Sequence, residues 1–170
     1  MNEPIFKFAL RDDLKDNPEF LPTKAEPLAT GWDVRCATVD RKPLYVNPGQ
    51  FVKIPLGFRA MVPEGYWYEL RPRSSSFVKK FMISHLGVID EAFNHELVFA
   101  MKWDPEPDYY TNSLQLKIEF GEAIGQIIPV KRQEMIVKNI SNEQLDKLYA
   151  VRNAIRNGGF GSSDGGNYKK

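Results

Sequence analysis

The sequence predicts an all-β domain of sandwich or jelly-roll type, with one short helix and a glycine-rich tail behind it. Three observations carry that prediction. Twelve prolines and twelve glycines interrupt short apolar runs throughout the 170 residues, which suits many short strands better than long helices. Leu114-Gln115-Leu116-Lys117-Ile118-Glu119-Phe120 alternates apolar and polar residues without a break, the period of a half-buried strand. Helical spacing is confined to one segment near the end.

In chain order, Phe58 to Val62 begins with alternation and is stopped by Pro63-Glu64-Gly65, a turn signal. Tyr66 to Leu70, Leu97 to Trp103, Gly125 to Val130 and Glu134 to Val137 are further strand candidates, rich in β-branched or aromatic residues. Ser141-Asn142-Glu143-Gln144 has the form of a capping box. Leu145, Leu148 and Tyr149 then fall near helical spacing, and a helix is expected over 142–154. From Asn157 to Gly166 almost no side chain has apolar surface to bury, so ordering entropy goes uncompensated. The organisation expected is a β domain over 1–155 and a flexible tail over 156–170.

Hydrophobic residues make up 42% of the chain, enough for a core without disulfides, and the lone Cys36 cannot form one internally. That usage suits a cytoplasmic or other intracellular protein. Glu3, Pro4 and Lys7 break up any signal-like apolar run, and no stretch approaches the roughly 20 apolar residues of a membrane span. A net charge of +1 gives no support to direct nucleic-acid binding, yet leaves room for a small anion held by a few local cations.

Arg71-Pro72-Arg73-Ser74-Ser75-Ser76 sets two guanidiniums and three hydroxyls in six positions, a grip suited to a phosphate chain. Gly87-Val88-Ile89-Asp90-Glu91-Ala92-Phe93 places an aspartate after an apolar strand, then a turn and an aromatic. A carboxylate beside a phosphate chain can orient and deprotonate water. Each piece alone has a bland reading: the serines as a polar loop, Asp90 as a turn cap. In the tail, Arg156 offers a planar fork, Ser162 and Ser163 offer hydroxyls, and Phe160 has no apolar neighbour. It reads either as an inert terminus or as a lid whose aromatic finds a base to stack on. His85 and His95 are isolated and form no metal motif. Trp32, Trp67 and Trp103 read as core or subunit-contact residues, Lys79-Lys80 as a solvated loop, and Cys36 as a small buried residue.

Taken in order, these pieces resemble the five motifs of the trimeric dUTPase family. Ala25-Glu26-Pro27-Leu28-Ala29-Thr30-Gly31-Trp32-Asp33-Val34 resembles the first, Pro72-Arg73-Ser74-Ser75 the second, and Gly87 to Phe93 the third. Phe120-Gly121-Glu122-Ala123-Ile124-Gly125-Gln126 is similar to the fourth, and Arg156-Asn157-Gly158-Gly159-Phe160-Gly161-Ser162-Ser163 to the fifth. The resemblance implies a distorted jelly roll of the β-clip type and hydrolysis of dUTP to dUMP and pyrophosphate, limiting uracil incorporation into DNA. It implies a homotrimer with shared active sites.

By that pattern Asp90 is the general base, while Arg73, Ser74 and Gln126 hold and polarise the phosphate chain with Ser75 beside them. Phe93, in place of the family's tyrosine, lies against the deoxyribose. Uracil is read by the backbone of a hairpin from about Ser84 to Val98, including Val88 and Ile89. Arg156, Phe160, Gly161, Ser162 and Ser163 close over the nucleotide, and Mg2+ rides on the triphosphate with Asp33 touching only its water shell. Ala123 stands where the family has arginine, Asn94-His95 replaces an arginine–glycine pair, and Ser84 replaces asparagine. The segments 101–117 and 134–155 are longer than in compact relatives. A dCTP deaminase of the same fold would need a glutamate on the strand Leu97 to Trp103, which has no carboxylate. A non-catalytic interaction protein on this scaffold is the other alternative.

Overall fold

The computed structural model describes residues 4–105 and 115–152. The chain divides into two units, 1–132 and 133–170. Along the first run β1 (Lys7–Leu10), β2 (Trp32–Arg35), β3 (Leu44–Val46), β4 (Phe51–Pro55), β5 (Phe58–Met61), β6 (Tyr66–Pro72), α1 (Ser74–Val78) and β7 (Met82–Ser84). Then come β8 (Gly87–Ile89), β9 (Val98–Trp103), β10 (Leu116–Ile118) and β11 (Ala123–Lys131). Among the described residues all strand pairs are antiparallel, in the orders β2-β11-β6-β8, β4-β9-β7, β1-β5 and β10-β3. This is the all-β architecture expected.

Alternation builds the core. Tyr68 and Leu70 of β6 point inward, as do Phe99, Met101 and Trp103 of β9, and they meet Val34, Ile54, Phe58 and Ile127 in one apolar cluster. Trp67, Glu69 and Arg71 therefore take the opposite face of β6. Pro129 is tolerated inside β11 because β2 ends opposite Ile127, so one side of β11 there has no ladder to break. At the β5–β6 turn, Tyr66 N–H donates to the Pro63 carbonyl at 3.1 Å and Gly65 takes φ +76°, the glycine position of a type II turn.

Three features depart from expectation. Glu134 to Val137 forms no strand: Met135, Ile136 and Val137 are 84–98% exposed, and β propensity without a pairing partner does not make a strand. The segment from Ser84 to Val98 is not one hairpin. Ser84 pairs with Met101 and Val98 with Pro55, while β8 between them joins a different sheet beside β6. The serine run is not all loop, since Ser74–Val78 makes α1, too short to show a period in sequence.

In the second unit, α2 (Asn142–Arg152) starts where the capping box places it. Gln144 N–H donates to Ser141 Oγ at 3.2 Å, and Ser141 N–H donates to Gln144 Oε1 at 3.0 Å. Leu145, Leu148 and Tyr149 stay 40–55% exposed. The tail residues Arg156, Phe160, Gly161, Ser162 and Ser163 lie outside the described residues, as do 153–154 of the expected helix and 106–114 of the 101–117 segment.

Candidate active site

The sheet β2-β11-β6-β8 brings together three predicted site residues from far apart in the chain. Gln126 on β11 lies opposite Asp33 on β2 and opposite Arg71 on β6, so all three project from the sheet's outer face. Beyond the end of β6 the backbone of Arg73 stays extended (φ −77°, ψ 149°) and turns its side chain back toward this row. Arg73 Nε stands 3.3 Å from Asp33 Oδ1, and Nη1 donates to the Ala123 carbonyl at 3.3 Å. Gln126 Nε2 donates to the Pro72 carbonyl, also at 3.3 Å. Ala123 thus supplies its backbone oxygen to Arg73. Lys80 is not a solvated side chain; it pairs with Glu122 and its carbonyl accepts from Trp103 Nε1.

Gly31 makes this row possible. A Cβ there would sit 1.9 Å from Gln126 Oε1 and 2.7 Å from its Cδ, inside the side chain itself. Buried Ser76 anchors the start of α1, its hydroxyl donating to the Ile124 carbonyl at 2.9 Å. Ser74 is left exposed and Ser75 half-buried at the start of α1. The first-turn amides of a helix have no intrahelical acceptor, so hydroxyls and amides are offered together. Of the two guanidiniums, Arg71 is already engaged by Glu69 on its own strand at 2.7 Å; Arg73 is the one placed over the row.

Asp90 stands at the other end of the same sheet. It follows Ile89, which pairs with Tyr68, and so aligns with Trp67 on the outer face. From Trp67 to Arg73 the chain advances six residues, about 20 Å at strand rise. Asp90 is exposed in an open cleft of about 560 Å³ with Trp67, Val88 and Arg132, and its carboxylate has no partner among the described residues. Its carbonyl accepts from Phe93 N–H at 3.0 Å, closing a turn that presents Phe93, 37% exposed and edge-to-face with His95 at 5.8 Å. Glu91 inside the turn and Arg132 across the cleft form a 2.6 Å ion pair. Sequence reasoning passed over Arg132, since nothing local in a run of polar residues marks it.

Ser84 is the remaining described candidate of note. Its Oγ is buried and has no hydrogen-bond partner, a cost of about 1–3 kcal/mol unless a ligand or water supplies one. Val98 is 42% exposed and Val88 62%. Among the described residues no three acidic, imidazole or thiol groups converge on one point. Among the described residues the carboxylate beside Arg73 is Asp33, and Glu69 on the same face is taken up by Arg71. That fits a Mg2+ ion carried by phosphate oxygens and water, and not one caged by the protein.

No protein-family model matches the chain. Over 139 residues it is 32% identical to the deoxyuridine 5'-triphosphate nucleotidohydrolase of Aquifex aeolicus, covering 79% of this chain and 85% of that one. Its fold superposes on a mutant dUTPase of Staphylococcus bacteriophage 80alpha with dUpNHpp (TM-score 0.67, 20% identity, 81% of this chain and 89% of that one). A mutant dUTPase from phage phi11 of S. aureus gives the same score at 16% identity, covering 81% and 97%, and that protein coordinates a structural Mg(II) ion. The match to the Aquifex enzyme over most of both chains, with the fold shared by the phage dUTPases, shows the family: the chain is a member of the dUTPase family.

Proposed function

We propose that the chain hydrolyses dUTP to dUMP and pyrophosphate, in a site that adjacent copies of the chain build together. The observation that carries this reading is the separation of its two halves. The Asp33–Gln126 row lies opposite Arg71, four residues or about 13 Å along β6 from the position that Asp90 aligns with, and on the other side of β6 from β8, whereas a general base must reach the attacking water within about 3 Å. That separation supports a site in which Asp90 comes from a neighbouring chain.

In such a site Arg73, Ser74, Ser75 and Gln126 grip the phosphate chain, with Arg73 held by Asp33 and the Ala123 carbonyl. Asp33 suits an outer-sphere contact to a Mg2+ ion on the triphosphate, whose chemistry is to neutralise phosphate charge. Asp90 takes a proton as water attacks the α-phosphorus. The bond to the bridging oxygen breaks, and Ser74 donates to the departing pyrophosphate. Uracil lies against Ser84, Val88, Ile89 and Val98, where the orphaned Ser84 hydroxyl is a donor and acceptor for a base edge. Phe93 packs on the deoxyribose where a 2′-hydroxyl would clash. Arg156, Phe160, Gly161, Ser162 and Ser163 complete the site from the tail, with Phe160 stacked on uracil. The assembly is a homotrimer.

β9 carries no carboxylate, so the glutamate that a dCTP deaminase requires on this strand is missing. No helix among the described residues is long and apolar enough to cross a membrane. The deciding assay measures pyrophosphate and ammonia release from dUTP, dCTP, dTTP and UTP. Pyrophosphate from dUTP, with little from the other three, is the expected result. Ammonia from dCTP, or equal rates on dTTP, would overturn the reading.

A further inference from the structure

We propose that Glu91 is a positioning residue for Asp90, an inference that rests on reading Asp90 as the general base. Glu91 is the second residue of the turn that Asp90 opens and Phe93 closes. Its Oε2 accepts from Arg132 Nη1 at 2.6 Å and from Gly65 N–H at 3.2 Å. Those donors come from two other elements: Gly65 from the β5–β6 turn, Arg132 from just past β11. The Arg132 N–H in turn donates to the Gly65 carbonyl at 2.8 Å, closing a small triangle of bonds. Gly65 can present its N–H this way because it holds φ +76°, a conformation other residues strain to adopt. One carboxylate oxygen therefore ties the exposed turn that aims Asp90 and Phe93 to the rigid end of the sheet. It also engages Arg132 in the cleft that the Asp90 carboxylate lines without a hydrogen-bond partner among the described residues.

An exposed ion pair of this kind adds little to folding. Its effect should appear in the chemical step, where a misplacement of about 1 Å can cost about 10²-fold. Two conservative variants separate reach from charge. Glu91→Asp keeps the charge but is one methylene too short to hold both donors; Glu91→Gln loses the charge but keeps an acceptor oxygen at full length. In the full-length protein, with melting temperature and assembly size checked, Glu91→Asp should lower kcat for dUTP at least about tenfold. Its KM should stay within about threefold, and Glu91→Gln should keep kcat within about threefold of wild type.

Coupling is read from a double variant. If Glu91 acts through Asp90, Asp90→Asn/Glu91→Asp should be no more than about twofold slower than Asp90→Asn alone. An active Glu91→Asp beside a crippled Glu91→Gln would show that charge, not reach, is what counts, and would overturn the proposal. Multiplicative losses in the double variant would overturn it too. A slow Asp90→Asn beside an unimpaired Glu91→Asp would sink this inference alone; a fully active Asp90→Asn would sink the base assignment and this inference with it.

Discussion

Two inactive variants should make an active enzyme when mixed, because each supplies the half of the site that the other lacks. Asp90→Asn removes the proposed base, and Ser74→Ala removes a proposed phosphate donor at the start of α1, past the far end of β6. Alone, the first should lose roughly 10²–10⁴ in rate, and the second roughly 10²–10³, as for a charge-stabilising donor. Both residues are exposed, so neither change threatens the fold. Suppose the chains are mixed in equal amounts, denatured and reassembled. In a ring of head-to-tail contacts each site takes Asp90 from one chain and Ser74 from its neighbour. The chance that both are intact is about one half times one half, and recovered activity should approach about a quarter of wild type. That is at least about 25-fold above either parent if each retains about one per cent. If the two halves worked within one chain, the mixture would stay at parental activity and the shared-site reasoning would be refuted. A two-chain ring would complement equally well, so sedimentation equilibrium must accompany the assay. The expected mass is about three times the 19.5 kDa of one chain.

Four further outcomes follow from other parts of the molecule. Phe93→Ala should narrow the dUTP-to-UTP ratio of kcat/KM, because the exposed ring is the proposed sugar gate; an unchanged ratio would place sugar discrimination elsewhere. Gly31→Ala should drive the Gln126 side chain off the Pro72 carbonyl and lower activity while leaving the melt near wild type, because the displaced atoms are the tip of a flexible side chain; a wild-type rate would contradict the packing. Burial pushes the Cys36 thiol up to about 11, so the unfolded chain gives up its proton first and stability falls as pH rises from about 8.5. Melting temperatures at pH 7 and pH 10 should therefore differ less in Cys36→Ala than in wild type. Ending the chain after Asn157 removes Phe160, Ser162 and Ser163 and should leave assembly intact while lowering activity at least about tenfold, near the low end of base-stacking energies; full activity would rule out a lid role.

How much of this was legible in the sequence depends on how far each feature reaches. β6, β9 and β11 were foreseen because each is long enough for its period or its aromatic and β-branched content to show, and the Pro63-Glu64-Gly65 stop falls at the observed turn. β10 sits inside the alternating run Leu114 to Phe120 and keeps that alternation in its burial, whereas β3 and β7 have three residues each, too few to register a period, and gain their strand character only from pairing. Glu134 to Val137 shows the converse, with propensity present and pairing absent. For the site, short motifs pointed to Asp33, Arg73, Asp90 and Gln126, but not to their arrangement. That Gln126 stands beside Asp33 is a matter of β2–β11 register across 93 positions. Arg132 was invisible because its meaning comes from Glu91, 41 residues earlier.

The outer face of the sheet fits the proposal that adjacent copies of the chain share a site. Trp67, Ile128 and Val130 lie half-buried on that face, with Val88 62% exposed, between the Asp33–Gln126 row and Asp90. An apolar strip flanked by two incomplete halves of a polar site is what a subunit interface requires, because packing the strip brings the halves together. The Glu69–Arg71 pair fits the same account. Both charges project from this face and neutralise each other at 2.7 Å, so covering them does not leave a lone charge buried. Arg73 is held differently. Its contacts to Asp33 and to the Ala123 carbonyl are both 3.3 Å, and its side chain remains 35% exposed. Looser partners and open solvent leave it able to take a phosphate oxygen without first breaking a tight ion pair. Two arginines two residues apart thus differ: Arg71 is satisfied on its own strand, and Arg73 keeps looser partners that suit the proposed phosphate contact.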